Sequence, residues 1–155
     1  MNTPLNCAFE GSAASRNHYA SLLSPVSPGL TVGAIDIATG RFGWADPVIG
    51  EVSNTYTAGF PIGLIIPQFG LWSLGYRQFG VWYMRAGKPI TLAVRGDFFV
   101  RFPHGAMIGQ PVYADPLFGQ AYTADGGGYQ LTTWKTVTSA SPGGLGIISQ
   151  AQDFH

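Results

Sequence analysis

Charge is what this chain has least of. Eight Lys and Arg residues face eight Asp and Glu residues across 155 positions, a net charge of zero and a charged fraction of 10%. An ordinary soluble domain carries about 25%. With no basic excess there is no electrostatic footprint for a nucleic acid, so no nucleic-acid partner is expected. Cysteine is nearly absent too. Cys7 stands alone, which excludes an internal disulfide and any cysteine-based metal site. The three histidines, His18, His104 and His155, form no two-histidine motif with metal spacing. Uninterrupted helix-forming stretches are scarce, because 22 glycines and 11 prolines punctuate the chain, and that density excludes a helical bundle. The first 25 residues lack a basic segment followed by an apolar run, so synthesis in the cytosol is the expectation.

What is present is apolar and aromatic. Hydrophobic residues make up 46% and aromatics 14%, enough for a core and too much for disorder. The length suits one domain that buries roughly 70% of its unfolded surface. Val52 to Tyr76 is an uncharged run of 25 residues, long enough to span a bilayer. Pro61 and Pro67 lie inside it, with Gly59, Gly63, Gly70, Gly75 and Gln68. A lone helix so interrupted would leave backbone groups unpaired in lipid, so no membrane partner is expected.

Residues 1–29, rich in Ser, Ala, Asn and Pro, read as an extended N-terminal arm, with Ala13 to Leu23 suited to one short helix. Residues 30–150 read as a β domain and 151–155 as a tail. Apolar runs bounded by turn residues recur at spacings of about 8–12. They place strands at Leu30–Ile37, Arg41–Ala45, Phe60–Ile66, Phe79–Arg85, Pro89–Val94, Phe98–Phe102, Pro111–Ala114, Gln130–Val137 and Leu145–Ser149. The expected fold is all-β, a single-domain barrel or jelly-roll-like sandwich. Two segments echo each other: Trp44-Ala-Asp-Pro-Val-Ile-Gly-Glu51 and Tyr113-Ala-Asp-Pro-Leu-Phe-Gly-Gln120. In each, Pro47 or Pro116 presets φ, Asp46 or Asp115 caps the turn, and Gly50 or Gly119 takes a left-handed position. Gly63-Leu-Ile-Ile and Gly144-Leu-Gly-Ile-Ile form a second echo, expected as buried strands, so two related halves are anticipated.

Candidate chemistry is thin. Asp97 and His104 could be the orienter and base of a serine triad, but no Gly-x-Ser-x-Gly elbow accompanies them, and both fit turns. Asp46 and Asp115 could be paired carboxylates of a glycosidase. Their place before proline in equivalent turns already explains them. Gly126-Gly-Gly-Tyr129 resembles a phosphate cradle, yet no Lys-Ser/Thr follows, and a hairpin tip is expected. No catalytic residue, cofactor or metal is assigned. Trp44, Trp72, Trp82 and Trp134 leave a carbohydrate-binding sandwich as the alternative, since exposed indoles stack on sugars. The low charge favours a chain that lives against other subunits. The expected contact surface is the apolar strip Phe60, Ile62, Leu64, Ile66, Phe69, Leu71, Trp72, Tyr76, Phe79, Trp82 and Tyr83.

The run Gly40-Arg-Phe-Gly-Trp-Ala-Asp-Pro47, then Gly50-Glu-Val-Ser-Asn54 and Ala58-Gly-Phe60, resembles the tailed-bacteriophage structural cement, or head decoration, proteins. Ala86-Gly-Lys-Pro-Ile-Thr-Leu92, Gly96-Asp-Phe-Phe-Val100 and Gly109-Gln-Pro-Val-Tyr-Ala-Asp115 continue the resemblance, which spans residues 30–149. The order and spacing of these short pieces carry it. The chain departs at Pro61 to Phe69, where similar proteins carry a polar, charged stretch, and this implies a more apolar interface. The resemblance implies a non-enzymatic β domain that forms homodimers or homotrimers. It would sit on the outer surface of an icosahedral head and bridge capsomers of the major capsid protein. On this view the arm is a strap, and deleting residues 1–25 weakens attachment while leaving the β-fold intact.

Overall fold

Glycine and proline at this density leave room for little but short strands, and short strands are what forms. The computed structural model describes residues 10–13, 21–22, 30–66, 75–78 and 81–150. Among them no helix occurs, so none is long and apolar enough to cross a membrane. The strands are β1 Ser21–Leu22, β2 Thr31–Val32, β3 Ile37–Ala38, β4 Phe42–Ala45, β5 Glu51–Ser53, β6 Ile62–Ile66 and β7 Gly75–Gln78. They continue with β8 Val81–Met84, β9 Thr91–Ala93, β10 Gly96–Phe102, β11 Pro111–Ala114, β12 Ala121–Tyr122, β13 Gln130–Thr136 and β14 Gly144–Gln150.

Three sheets result, ordered β1-β9-β6-β4-β5-β2, β10-β14-β13-β11-β12 and β3-β8-β7. The all-β sandwich expected from the strand spacing is present, and a third, smaller sheet extends it. Two buried clusters say how the sheets stack. Phe42, Trp44, Leu64, Ile66 and Ala93 of the six-stranded sheet pack with Phe98, Val100, Phe102, Trp134 and Ile148 of the five-stranded one. Ala45, Ile65 and Leu92, from the opposite face of the same six-stranded sheet, pack with Ile37, Met84 and Trp82 of the three-stranded one. The six-stranded sheet is therefore the middle layer, buried on both faces.

That position explains the sequence of β6. A strand covered on both faces reads as a continuous apolar run, here Ile-Gly-Leu-Ile-Ile. Because side chains alternate, Ile62, Leu64 and Ile66 face the first cluster and Ile65 the second. Gly43 and Gly63 pair across β4 and β6. A Cβ on Gly43 would lie 2.5 Å from the Ile65 side chain, and one on Gly63 2.7 Å from Leu92. Trp134 joins the layers, meeting Phe42 at 6.4 Å and Phe98 at 6.1 Å in edge-on geometry, contacts worth about 0.5–1.5 kcal/mol each.

Several sequence expectations change. The strand expected over Leu30–Ile37 is split into β2 and β3, and Gly33 to Asp36 forms a bend between them. β5, β7 and β12 were not anticipated. The helix expected over Ala13 to Leu23 is contradicted at both ends, with residues 14–20 outside the described set. Ala13 bridges Phe98, and Ser21–Leu22 pairs with β9. The Gly11 N–H donates to the Phe99 carbonyl at 2.8 Å, and the Phe99 N–H donates to that of Ser12 at 3.0 Å. These parts of the supposed arm are stitched onto the β domain by backbone pairing. β14 is buried on one face only, through Gly146 and Ile148, so its likeness to β6 stops at the sequence.

Candidate functional site

The two echoed segments form the same loop. In the first, Val48 N–H donates to Asp46 Oδ1 at 2.8 Å, and Gly50 N–H donates to the Asp46 carbonyl at 2.8 Å. In the second, Leu117 N–H donates to Asp115 Oδ1 at 2.9 Å, and Gly119 N–H donates to the Asp115 carbonyl at 2.7 Å. The Asp N–H closes each loop from outside, reaching the Glu51 carbonyl at 2.8 Å or that of Gln120 at 3.0 Å. The bond from glycine back to aspartate makes a five-residue turn, one residue longer than the type I turn expected. Gly50 and Gly119 have φ of 77° and 70°, the left-handed conformation their positions require. The carbonyls of both glycines are anchored in turn. That of Gly50 accepts the Thr31 N–H at 3.0 Å, and that of Gly119 accepts the Phe42 N–H at 2.7 Å.

With the backbone so occupied, the two residues between Pro and Gly have nothing to do inside the fold. Val48 and Ile49 are 71% and 55% exposed, and Leu117 and Phe118 are 63% and 58% exposed. A third tip adds Met107 and Ile108, held by the Met107 N–H to Gln110 Oε1 bond at 2.8 Å and by the Gly109 N–H to the Thr136 carbonyl at 3.0 Å. Ile35 is the most exposed large apolar side chain described, at 79%. With Phe60 and Asp46 it borders a groove of about 200 Å³ beside the first loop. Apolar pairs on loop tips are the feature that sequence reading missed. Inside an Asp-Pro-x-x-Gly frame they had a signal, since turn positions ordinarily carry polar residues.

The anticipated strip divides. Leu64 and Ile66 are interior, 0% and 3% exposed, because the five-stranded sheet covers their face of β6. As contact residues they are corrected to core. Phe60 and Ile62 are half-buried against the same cluster. Tyr76, Trp82 and Tyr83 are half-buried on the smallest sheet. Tyr76 and Tyr83 stack at 5.5 Å, and the Arg85 guanidinium lies 4.6 Å from the Tyr76 ring centre. The Tyr76 hydroxyl donates to Asp36 Oδ2 at 2.7 Å. That bond lowers the Asp36 carboxyl below its ordinary range, helped by the Ala86 N–H, and raises the Tyr76 phenol above its own. Phe69, Leu71, Trp72 and Phe79 lie outside the described residues.

The catalytic candidates do not assemble. Asp97 is the second residue of β10 and His104 lies in the turn beyond its other end, and the five strand steps from Asp97 to Phe102 span about 17 Å. Asp46 and Asp115 each accept N–H donors of their own loops at opposite ends of β4. Asp125 likewise caps the triple-glycine tip, accepting the Gly127 N–H at 3.0 Å, but the tip joins β12 to β13, which lie on opposite sides of β11, so the expected hairpin is corrected to a turn within a crossover. Among the described residues no three His, Cys, Asp or Glu side chains gather to hold a metal. Trp44 and Trp134 are 0% and 3% exposed and offer no face to a sugar.

One buried ion pair lies elsewhere. Glu10 is 5% exposed, and its Oε2 is 3.6 Å from Arg101 Nε, too long for a hydrogen bond. Burial raises its carboxyl above the ordinary value, a shift offset in part by the charges of Arg101 and Arg41.

A layered β-sandwich that carries six of its ten described exposed large apolar side chains in pairs on hydrogen-bonded loop tips is a protein of the assembly class, equipped to meet other chains. The comparison with known families agrees: the model for the XM1 gp53 minor capsid protein matches residues 1–149, and the chain belongs to that family. It is thus a bacteriophage structural protein of the virion, associated with the capsid. No curated protein matches it in sequence.

Proposed function

We propose that this minor capsid protein is a non-enzymatic cement, or decoration, protein. It sits on the outer surface of the head and bridges neighbouring capsomers of the major capsid protein. The observation that carries this reading is the set of paired apolar side chains on anchored loop tips. Fully burying a Val, Ile, Leu or Phe side chain stabilises by about 1.5–3 kcal/mol, so each tip is a modest contact. Repetition over a shell makes modest contacts collectively strong, and bridged joints resist the pressure of packaged DNA. The half-exposed Phe60, Ile62, Tyr76, Trp82 and Tyr83 supply further contact area, to the shell or to other copies in a homodimer or homotrimer. Residues 1–9 act as a strap to a neighbour.

The test is co-sedimentation of the purified protein with empty heads assembled from its own phage's major capsid protein. Saturable binding at a fixed ratio, with heads that then survive higher temperature, is the expected outcome. Absence of binding to both compact and expanded heads would sink the proposal.

A further inference from the structure

We infer that the chain grips the shell through two copies of one device, and that the two engage the same acceptor on two neighbouring shell subunits. This rests on the capsid-bridging reading above. The devices are the loops carrying Val48–Ile49 and Leu117–Phe118, and the acceptor is a shallow, uncharged, apolar pit on the major shell subunit.

Four observations lead there. The first is that the loops share four bonds: Asp side chain to the second following N–H, Asp carbonyl to the glycine N–H, Asp N–H to the residue after glycine, and glycine carbonyl to a neighbouring strand. They differ only in added bonds, the Ile49 N–H to Asp46 Oδ1 in the first, and the Tyr56 N–H and Thr55 hydroxyl to the Pro116 and Leu117 carbonyls in the second. An acceptor shaped for one backbone therefore fits the other. Secondly, the frame of Asp, Pro and Gly makes the turn without help from the two side chains between Pro and Gly. Solvent exposure would favour polar residues there, yet all four are apolar and more than half exposed. The fold supplies no reason for that choice, whereas an apolar acceptor does.

The third observation is charge. Asp46 and Asp115 are turned back onto their own loop N–H groups, and the four residues at the tips, Val48, Ile49, Leu117 and Phe118, carry no charge, so the tips suit an uncharged pit. Lastly, the loops are apart. Gly119 is bonded to Phe42, the first residue of β4, while Val48–Ile49 follow Ala45, its last. Four strand residues put about 10 Å between the two ends, so one pit cannot take both pairs. A symmetric shell repeats its subunits and so offers the same pit many times. Two knobs on the same backbone frame match two such pits, and the anchored glycines mean that little loop freedom is lost on docking.

The experiment uses the full chain and empty heads. Three variants are compared with the native protein: Val48→Ser with Ile49→Ser, Leu117→Ser with Phe118→Ser, and all four together. All should keep the native circular dichroism spectrum and melting midpoint, since the frame is untouched. Each two-site variant should bind with affinity weaker on the order of 10²-fold, the loss expected when a bivalent contact becomes monovalent. Neither should protect heads against heat even at saturation, because one knob cannot bridge. The four-site variant should bind more weakly than either two-site variant. If a serine pair fails to fold, the alanine pair at the same positions replaces it. A two-site variant that binds and protects like the native protein overturns the inference. So does one that changes only self-association, which would make a second copy of this chain the occupant. Failure of the native protein to bind heads is a separate result, and it overturns the bridging reading itself.

Discussion

Gly119→Ala isolates the contact that locks the second loop to the middle sheet. An alanine here meets two costs. The backbone stays at φ 70°, where an L side chain is disfavoured by about 1–2 kcal/mol. Its Cβ would also lie 2.1 Å from the Phe42 carbonyl oxygen and 3.0 Å from the carbonyl carbon. Those are backbone atoms of a residue with no accessible surface, so the loop must withdraw. Withdrawal breaks the 2.7 Å bond from the Phe42 N–H to the Gly119 carbonyl and leaves a buried donor unpaired, about 1–3 kcal/mol more. The sum is about 2–5 kcal/mol, a large share of the 5–15 kcal/mol by which domains are stable. Gly109→Ala and Gly59→Ala are the controls. Both have φ above 80°, yet a Cβ there meets nothing within 4 Å, so only the conformational cost of about 1–2 kcal/mol applies. At about 2–4 °C per kcal/mol, thermal melts should fall on the order of 10 °C for Gly119→Ala and about 4 °C for the controls. Equal shifts in the three variants would refute the close-approach argument.

Leu64→Ala should cost about 2–5 kcal/mol through the cavity it leaves, read as a lower urea midpoint, while head attachment by the folded fraction stays unchanged. Glu10 takes up its proton at higher pH in the folded chain than in the unfolded one, because burial raises it above 4.5. Its contribution is therefore fully present below that value and lost as pH rises through the folded pKa. Glu10→Gln should flatten the fall in melting temperature over that interval, and an unchanged slope would exclude Glu10 as its source. Deleting residues 1–9 should leave the melting temperature near native and weaken head binding, whereas deleting 1–13 should lower the melting temperature as well. The second deletion removes Glu10 and the Gly11 and Ser12 pairings with Phe99. This replaces the expectation that removing 1–25 weakens attachment but leaves the β-fold intact, since that cut also takes β1 from the sheet.

The loops at Asp46 and Asp115 were legible because everything that makes them lies within six residues. Proline presets one φ, the aspartate side chain reaches an N–H two residues on, and glycine accepts the left-handed position. The longer strands were legible for the same reason, since alternation or a sustained apolar run is written along β6, β10 and β13. Strands of two to four residues such as β5, β7 and β12 carry too few positions to show a period. Their pairing partners, β4 and β2 for β5, β8 for β7 and β11 for β12, decide that they are strands.

What the chain alone determined, then, is local: an all-β domain, its principal turns, and a shortage of charge that points to contact with other chains. Which apolar side chains are inside was decided by the tertiary structure. Leu64 and Val48 are both aliphatic residues followed by isoleucine, yet one has no exposed surface and the other 71%. The difference comes from sheets built by residues far along the chain. Phe98, Trp134 and Ile148 cover Leu64, while the tip that carries Val48 projects past the end of β4 with no layer over it. Burial is a property of neighbours, and neighbours in a sandwich are set by layer stacking rather than by adjacency in the chain.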